Sequence, residues 1–584
     1  MKLTHTLSVF GFTFLALSFP AEAQQSDDAV PWGIASSSSS RKNISEWYPK
    51  MSEAGIAWVR MSPHWGAVEP AKGEWKWDSF DEVMKTADEN HLQVSAVMMG
   101  SHPWTKNPSH TFPMAHLADW AEFVSAAVDH CKSKVHHWEI WNEGNGGFNG
   151  NHNTTADYAE LVATSYAAAK KADPTAQVGM TVASYDAPYL LRATEAMAKA
   201  GKADSFDYLC IHPYETADGI NDPDGEIPFL WMSKLLRDAL KISAPARANA
   251  DIWITEIGRK VDQKKVTETD AAKALVKLYV MAAAQGIKRT MWFEGRDPYG
   301  EEDGFGLIER EGNPRLSYQA MKTMTAALGA TPKYIGWLAL GDGGRGYGFV
   351  FHSTLQAVLV AWMPAGATDK SVKFTGDVNV IDSLSGETSQ LKSGEPLVLS
   401  ESSVFVAGIP AGLVAQAQAN VQKNFPWGGD FSTAKSVSIK LGKDAASNGI
   451  FKRDCKSDGV FIFPDGSSGP YVPANHSSAF YVHPSFANLA TSNYFVRLTM
   501  RRITRGNLGM NFNHEIADSQ GHGAYRGTGA WFSLPEDDGW QTNTWHVTDA
   551  CFSKMWGFDF SFNPEKSEPF VIGKVEVSTE PFEK

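Results

Sequence analysis

The chain predicts an α/β architecture: a (β/α)8 barrel followed by two all-β sandwich domains. Three features of its 584 residues predict it. From residue 31 to about 330, short apolar runs alternate with long segments of helical periodicity, eight times over. Beyond 330, short alternating strands separated by glycine-rich turns replace the helical pattern. The run of serines at 36–40, where an open doubly wound sheet would carry a glycine-rich loop, disfavours that rival.

Taken in order, the predicted strands are 31–35, 56–61, 92–99, 135–141, 177–183, 206–212, 251–255 and 287–293. Each is an apolar run short enough for a strand buried on both faces. Helices are expected over 78–90, 114–132, 154–172, 189–199, 228–240, 270–285 and 316–328. Thr154, Thr155 and Thr267 offer hydroxyls for helix N-caps, and Gly286 offers a left-handed C-terminal stop. The barrel is assigned to 24–330 and a small β-sandwich packed on it to 331–410. The Ala/Gln-rich 411–424 reads as a linker or short helix, and 425–584 as a second sandwich rich in Gly, Asn and aromatics.

The first 23 residues read as a secretory signal: Lys2, an apolar run over 7–17 and the small-residue site Ala21-Glu22-Ala23. The expectation is a mature chain beginning near Gln24, secreted or periplasmic, with no membrane span. The charge of −13 argues against nucleic acid as a partner, because phosphate neutralisation needs a basic face. Four cysteines are too few for disulfides to be the main staple. Cys131 and Cys210 read as buried thiols, and Cys455 and Cys551 as a possible pair. The cysteines lack metal-ligand spacing, and phosphate loops and dinucleotide fingerprints are missing, so neither a metal nor a cofactor is expected.

The chemistry concentrates at two strand ends. His137-Trp138-Glu139-Ile140-Trp141-Asn142-Glu143 is an apolar run closing on an Asn-Glu pair. Asp251-Ile252-Trp253-Ile254-Thr255-Glu256 is another run ending in Glu. Two carboxylates at the C-terminal tips of barrel strands are the equipment of glycosidic-bond cleavage. Strand alternation predicts Glu139, Trp141 and Glu143 on one inward face, with Ile252, Ile254 and Glu256, with Tyr208, Cys210, His212 and Tyr214, and with Trp58, Arg60 and Ser62.

These motifs resemble the large barrel clan of retaining glycoside hydrolases, and within it glycoside hydrolase family 39, the β-xylosidases and α-L-iduronidases. Trp65-Gly66-Ala67-Val68-Glu69-Pro70 and Gly73-Glu74-Trp75-Lys76-Trp77-Asp78 share in the resemblance, which does not reach the last domain. Gly144 departs from it, since these enzymes often carry Pro there. The resemblance implies Glu143 as general acid/base and Glu256 as nucleophile. It implies Asn142 at the sugar 2-hydroxyl, Trp292 as stacking platform, and His102 and His212 as pocket walls. Arg60 and Tyr214 would keep Glu256 ionised, while burial and nearby negative charge would raise the pKa of Glu143. Glu139 is expected one layer deeper, in an interior ion-pair network. The substrate partner is a carbohydrate; transglycosylation by the same residues and non-catalytic carbohydrate binding are the rivals. Arg259, Lys260 and Arg296 suggest either an anionic sugar or pairing with Glu301, Glu302, Asp303 or Glu309. In the last domain Trp531, Trp540, Trp545 and Trp556 suggest a sugar-binding face.

Overall fold

The computed structural model describes residues 29–583, apart from 38–40, 102, 106–107, 109, 151, 263, 299, 301–302, 368–370, 443, 454–458, 473–476, 504–505, 515–523, 534–538, 555–556 and 565–568. The signal-like segment, His102, Cys455 and Trp556 therefore lie outside the described residues. Eight strands close a parallel barrel: β1 (Trp32–Ala35), β2 (Trp58–Met61), β3 (Gln93–Met98), β4 (His137–Ile140), β5 (Gln177–Ala183), β6 (Tyr208–His212), β7 (Asp251–Ile257) and β8 (Arg289–Phe293), with β8 pairing back onto β1.

The period-two pattern sorts the side chains into two layers. Ile34, Val59, Val94, Ile140, Val178, Ile252 and Ile254 face outward into the core shared with the helices. Ala35, Trp58, Tyr208, Cys210, Trp253, Met291 and Phe293 fill the interior. Arg289 is fully buried there, its guanidinium carbon 3.8 Å from the Trp58 ring centre and 4.0 Å from that of Trp253. Aromatic faces thus take the place of water around this cation. Gly179 on β5 makes room, since a Cβ there would sit 2.6 Å from the Tyr208 ring.

The helices start where the sequence offers caps. Thr154 and Thr267 each accept the amide three residues on, and Asp157 and Asp270 return the bond as reciprocal capping boxes. Gly286, with φ of 71°, follows the helix Glu268–Ala284.

A six-stranded sheet built from residues 333–407 follows. One face, with Tyr347, Phe349, Phe351, Trp362 and Phe405, joins the barrel core. The other, with Leu338, Val350, Leu359 and Val406, is covered in part by Ala417, Leu413 and Val414. Those residues belong to the helix Ala411–Asn420, so the first part of 411–424 is a packed element rather than a tether. A buried ion pair joins sheet to barrel: Lys277 Nζ donates to Glu226 Oε1 at 2.7 Å, and Trp362 Nε1 donates to the same oxygen at 3.1 Å.

The remaining strands form a second, larger, mostly antiparallel assembly around Val496, Leu498, Phe512, Phe560, Phe562 and Val575. It sits against the segment after β6. Tyr481 Oη donates to the Asp224 carbonyl at 3.2 Å, and the His483 and Trp231 rings lie 4.9 Å apart. A Cβ at Gly557 would meet both Arg453 Nη1 and Glu215 Cβ at 2.9 Å, so the last domain is pressed onto the helix Tyr214–Gly219. Of the tryptophans offered as a sugar face, Trp545 is core and Trp531 is 56% exposed. Cys131 and Cys210 are buried thiols, and Cys551 Sγ lies 3.2 Å from the Leu489 carbonyl. Among the described residues no helix is long and apolar enough to cross a membrane.

Candidate active site

A pocket of about 880 Å³ opens at the C-terminal end of the barrel strands and is lined by Arg60, Asn142, Glu143, Tyr214 and Glu256 among others. The floor beneath it is an ionic network built on Arg60 from β2. Arg60 Nε donates to Glu139 Oε2 at 2.7 Å, and its Nη2 donates to Glu139 Oε1 and to Asn142 Oδ1, both at 2.9 Å. Its Nη1 donates to Glu256 Oε1. Thr181 from β5 and Thr255 from β7 donate to Glu139 Oε1 at 2.8 and 3.2 Å. Glu139 is fully buried, as expected of an interior partner. Burial alone would raise its pKa, but Arg60 and His212 outweigh that and hold it at about 2. For Arg60, burial works against the cation while Glu139 and Glu256 raise the pKa further.

Above this floor the two strand-end carboxylates meet. Tyr214 Oη donates to Glu256 Oε2 at 3.2 Å, so Arg60 and Tyr214 take one oxygen each. Burial, then Glu256 and Glu143, raise the Tyr214 pKa well above that of an ordinary phenol, and it remains a donor. His212 Nδ1 lies 2.9 Å from Glu143 Oε1 and 3.8 Å from Glu256 Oε2, and its Nε2 lies 3.0 Å from Thr255 Oγ1. One carboxylate oxygen of Glu143, one of Glu256 and a ring nitrogen of His212 all fall within 4.8 Å of one another. That trio has the spacing of a metal-ligand set, but the Arg60 cation already satisfies Glu256, which disfavours a divalent ion there.

His212 also changes the expected electrostatics. Burial would lower its pKa, yet Glu256 and the contacts to Glu139 and Glu143 raise it to about 9. Burial would raise that of Glu143, but the His212 hydrogen bond and charge, with Arg60, bring it below the usual carboxylate value. The expected rise at Glu143 is therefore corrected. Strand parity put His212 near the pocket but not against this oxygen.

Two further corrections concern side-chain direction. Trp292 was expected under the sugar. It is 1% exposed, lies in the outer core, and donates Nε1 to the Phe305 carbonyl at 3.0 Å. Its neighbour Phe293 has the inward parity and lines the pocket with Phe305. Trp141 likewise was expected inward, but its φ of 66° turns it out of the pocket, where Nε1 donates to the Phe148 carbonyl at 2.9 Å. Glu143 also has a positive φ, of 45°. This break in the extended backbone lets both Asn142 and Glu143 line the pocket, where simple alternation allows one of the two. On β7 the inward residue is Trp253 rather than Ile252 or Ile254, and a register shift between Ile254 and Ile257 delivers both Thr255 and Glu256 to the mouth.

Arg259 is buried and donates to the carbonyls of Ala217 and Asp218, and Arg296 donates to those of Arg310 and Lys42. These bonds run to backbone carbonyls, and of the acids expected to pair with them Glu301 and Glu302 lie outside the described residues. Lys260 does line the pocket. At Gly144 a Cβ would lie 2.9 Å from the Phe112 ring and 3.1 Å from that of Tyr158, which explains why a larger residue is not found there.

The profile of glycosyl hydrolase family 10 matches residues 38–199, which carry β2 to β5 and Glu143. The match spans the first half of the barrel. A solved family 39 glycoside hydrolase from Bacteroides cellulosilyticus has the same fold: TM-score 0.53 and 21% identity, over 66% of this chain and 82% of that one. A family 39 β-xylosidase from Caulobacter crescentus gives 0.47 and 17%, over 66% and 97%. A family 39 enzyme from Xanthomonas axonopodis pv. citri gives 0.46 and 13%, over 95% of each chain. No curated protein sequence matches significantly.

Proposed function

We propose that this chain is an exported retaining glycoside hydrolase, with Glu256 as nucleophile and Glu143 as acid/base. The observation that carries the reading is the approach of the Glu143 and Glu256 carboxylates to within 4.8 Å across His212. Retaining enzymes hold their carboxyl groups roughly 5–5.5 Å apart, and inverting enzymes need roughly 6.5–9.5 Å to seat a water between them.

In the first step Glu256 attacks the anomeric carbon while the leaving oxygen takes a proton from the Glu143–His212 hydrogen bond. Arg60 and Tyr214 orient the Glu256 carboxylate, and Asn142, fixed by Arg60 Nη2, faces the sugar 2-hydroxyl. Formation of the glycosyl ester removes the Glu256 charge that supports the His212 cation. Glu143 then takes the proton of the water that hydrolyses the ester. Phe293 and Phe305 supply the apolar surface against which a sugar face packs.

The test uses an aryl 2-deoxy-2-fluoroglycoside panel, whose members form the glycosyl ester faster than they hydrolyse it. A covalent adduct on the Glu256 peptide, absent from Glu256→Ala, is expected. Turnover by Glu256→Ala at the wild-type rate would refute the nucleophile assignment. Release of product with inverted anomeric configuration would refute the retaining mechanism. Export is tested separately, by recovery of a chain starting near Gln24 outside the cytoplasm.

A further inference from the structure

Phe305 enters the pocket from the segment after β8 rather than from a strand tip. Its half-buried ring lines the wall with Phe293 and Tyr214. The ring centres of Phe305 and Phe293 are 5.6 Å apart, at 73°, and those of Phe305 and Tyr214 are 6.2 Å apart, at 77°. In such edge-to-face packing each ring is located by the next. Tyr214 in turn donates to the Glu256 carboxylate at 3.2 Å. A loop residue this close to the reacting groups holds its place only if its own backbone is locked from behind.

The lock is a buried carboxylate. Asp297 is 3% exposed, and its Oδ1 accepts the Gly304 amide at 2.9 Å and the Gly306 amide at 2.6 Å. Those two amides flank Phe305. Its Oδ2 accepts from Arg315, from Nε at 3.2 Å and from Nη2 as well. Arg315 caps the helix Leu316–Leu328 and donates Nη1 to Glu268 Oε1 at 2.5 Å, at the start of the helix Glu268–Ala284. Burial works against the Arg315 cation, and Asp297 and Glu268 more than offset it. The carboxylate is thus tied to two barrel helices. The glycines belong to the same device. A Cβ at Gly306 would fall 2.4 Å from the Asp297 amide nitrogen, and one at Gly304, where φ is 102°, would fall 2.6 Å from the Val261 carbonyl oxygen. The Phe305 carbonyl accepts from the Glu294 amide at 3.2 Å as well as from Trp292, and it keeps a donor if either is lost.

We propose that Asp297 is a positioning residue for the substrate pocket: it holds the backbone on both sides of Phe305, so that this ring packs against the C–H face of the sugar bound at Glu256. The inference rests on the glycosidase reading and extends it to a residue that does not touch substrate. A carboxylate suits the task because one oxygen can take both amides while the other keeps the guanidinium. Without it two buried amides lose their acceptor, and the Phe305 ring is free to leave the wall.

Steady-state kinetics on a panel of aryl glycosides compares wild type, Asp297→Ala, Asp297→Asn, Phe305→Ala and the double variant of Asp297→Ala with Phe305→Ala, each beside its melting temperature. Asp297→Ala and Phe305→Ala should each raise KM roughly 3- to 10-fold, with kcat moved less. The double variant should match Phe305→Ala, because Asp297 acts through that ring. Asp297→Asn keeps an oxygen for the amides and loses the charge, so it should recover most of the wild-type KM while its melting temperature falls. A wild-type KM in Asp297→Ala, or losses that multiply in the double variant, would make Asp297 a merely structural residue and overturn the inference. Hydrogen exchange of the wild type decides the clamp even if Asp297→Ala does not fold. The Gly304 and Gly306 amides should be protected, and exchange at the rate of an open loop overturns it. If no glycoside is cleaved, the glycosidase reading fails separately, and crystal structures of wild type and Asp297→Ala decide the positioning. A Phe305 ring withdrawn from the pocket in the variant supports it, and an unmoved ring overturns it.

Discussion

Replacing Glu139 by Gln removes the charge that Arg60 was built to meet. Glu139 is fully buried, makes both oxygens available to Arg60, and is held at about 2 against an ordinary 4.5. That difference corresponds to about 3 kcal/mol of preference for the ionised form in the folded state. Removing one partner of a buried pair independently costs roughly 3–5 kcal/mol. Because the folded pKa is depressed, this stability is fully present above the unfolded value near 4.5. It is lost as pH falls from there through about 2. Urea unfolding of wild type and Glu139→Gln, followed by tryptophan fluorescence, should therefore show a gap of about 3 kcal/mol at pH 6 that narrows steadily below pH 4.5. Taking the difference between the two proteins removes the acid sensitivity they share. A gap under about 1 kcal/mol at pH 6, or one that does not change with pH, would refute the claim that the Arg60–Glu139 pair holds the floor of the site.

His212→Asn removes the cation that lowers the Glu143 pKa and leaves the burial that raises it. Because the pair holds its shared proton up to the His212 value of about 9, the alkaline limb of the kcat/KM profile should move to lower pH, with a loss in kcat of roughly 10- to 100-fold from lost orientation, and a limb that stays or moves to higher pH would contradict the assigned coupling. Phe293→Ala should raise KM, whereas Trp292→Phe should cost about 1 kcal/mol of stability through the lost bond to Phe305, with KM little changed. The reverse pattern would restore Trp292 as the sugar platform. Gly144→Ala forces a methyl against Phe112 and Tyr158 and should destabilise by about 1–3 kcal/mol in thermal unfolding. An unchanged melting temperature would show that those rings yield freely.

The barrel was legible because a parallel strand buried on both faces is an apolar run, and eight such runs separated by helical periods leave few architectures. Simple alternation placed Trp58 and Arg60 on β2 and Tyr208, Cys210 and His212 on β6 correctly, since those strands are regular up to their tips. It failed at Trp141, where a left-handed residue breaks the alternation, and on β7, where the register shift brings adjacent residues to one mouth. Such irregularities depend on what packs below them and leave little trace in composition. At Trp292 the error was one of parity alone: inward Met291 would have pointed to Phe293. The role of His212 was hidden for another reason. Which carboxylate a histidine meets depends on the approach of β4 to β6 across the barrel, a relation between residues 69 positions apart.

The pressing of the last domain onto the segment after β6 bears on how this chain can be re-engineered. Tyr214, which holds the Glu256 carboxylate, opens the short helix whose next residue, Glu215, is confronted by Arg453 and Gly557. The C-terminal module is therefore a splint on the pocket end of the barrel rather than a detachable passenger. A chimera that exchanges it for another module would need to reproduce the contact of Arg453 and Gly557 with Glu215, and a barrel trimmed at residue 424 would set the Tyr214 phenol loose from Glu256.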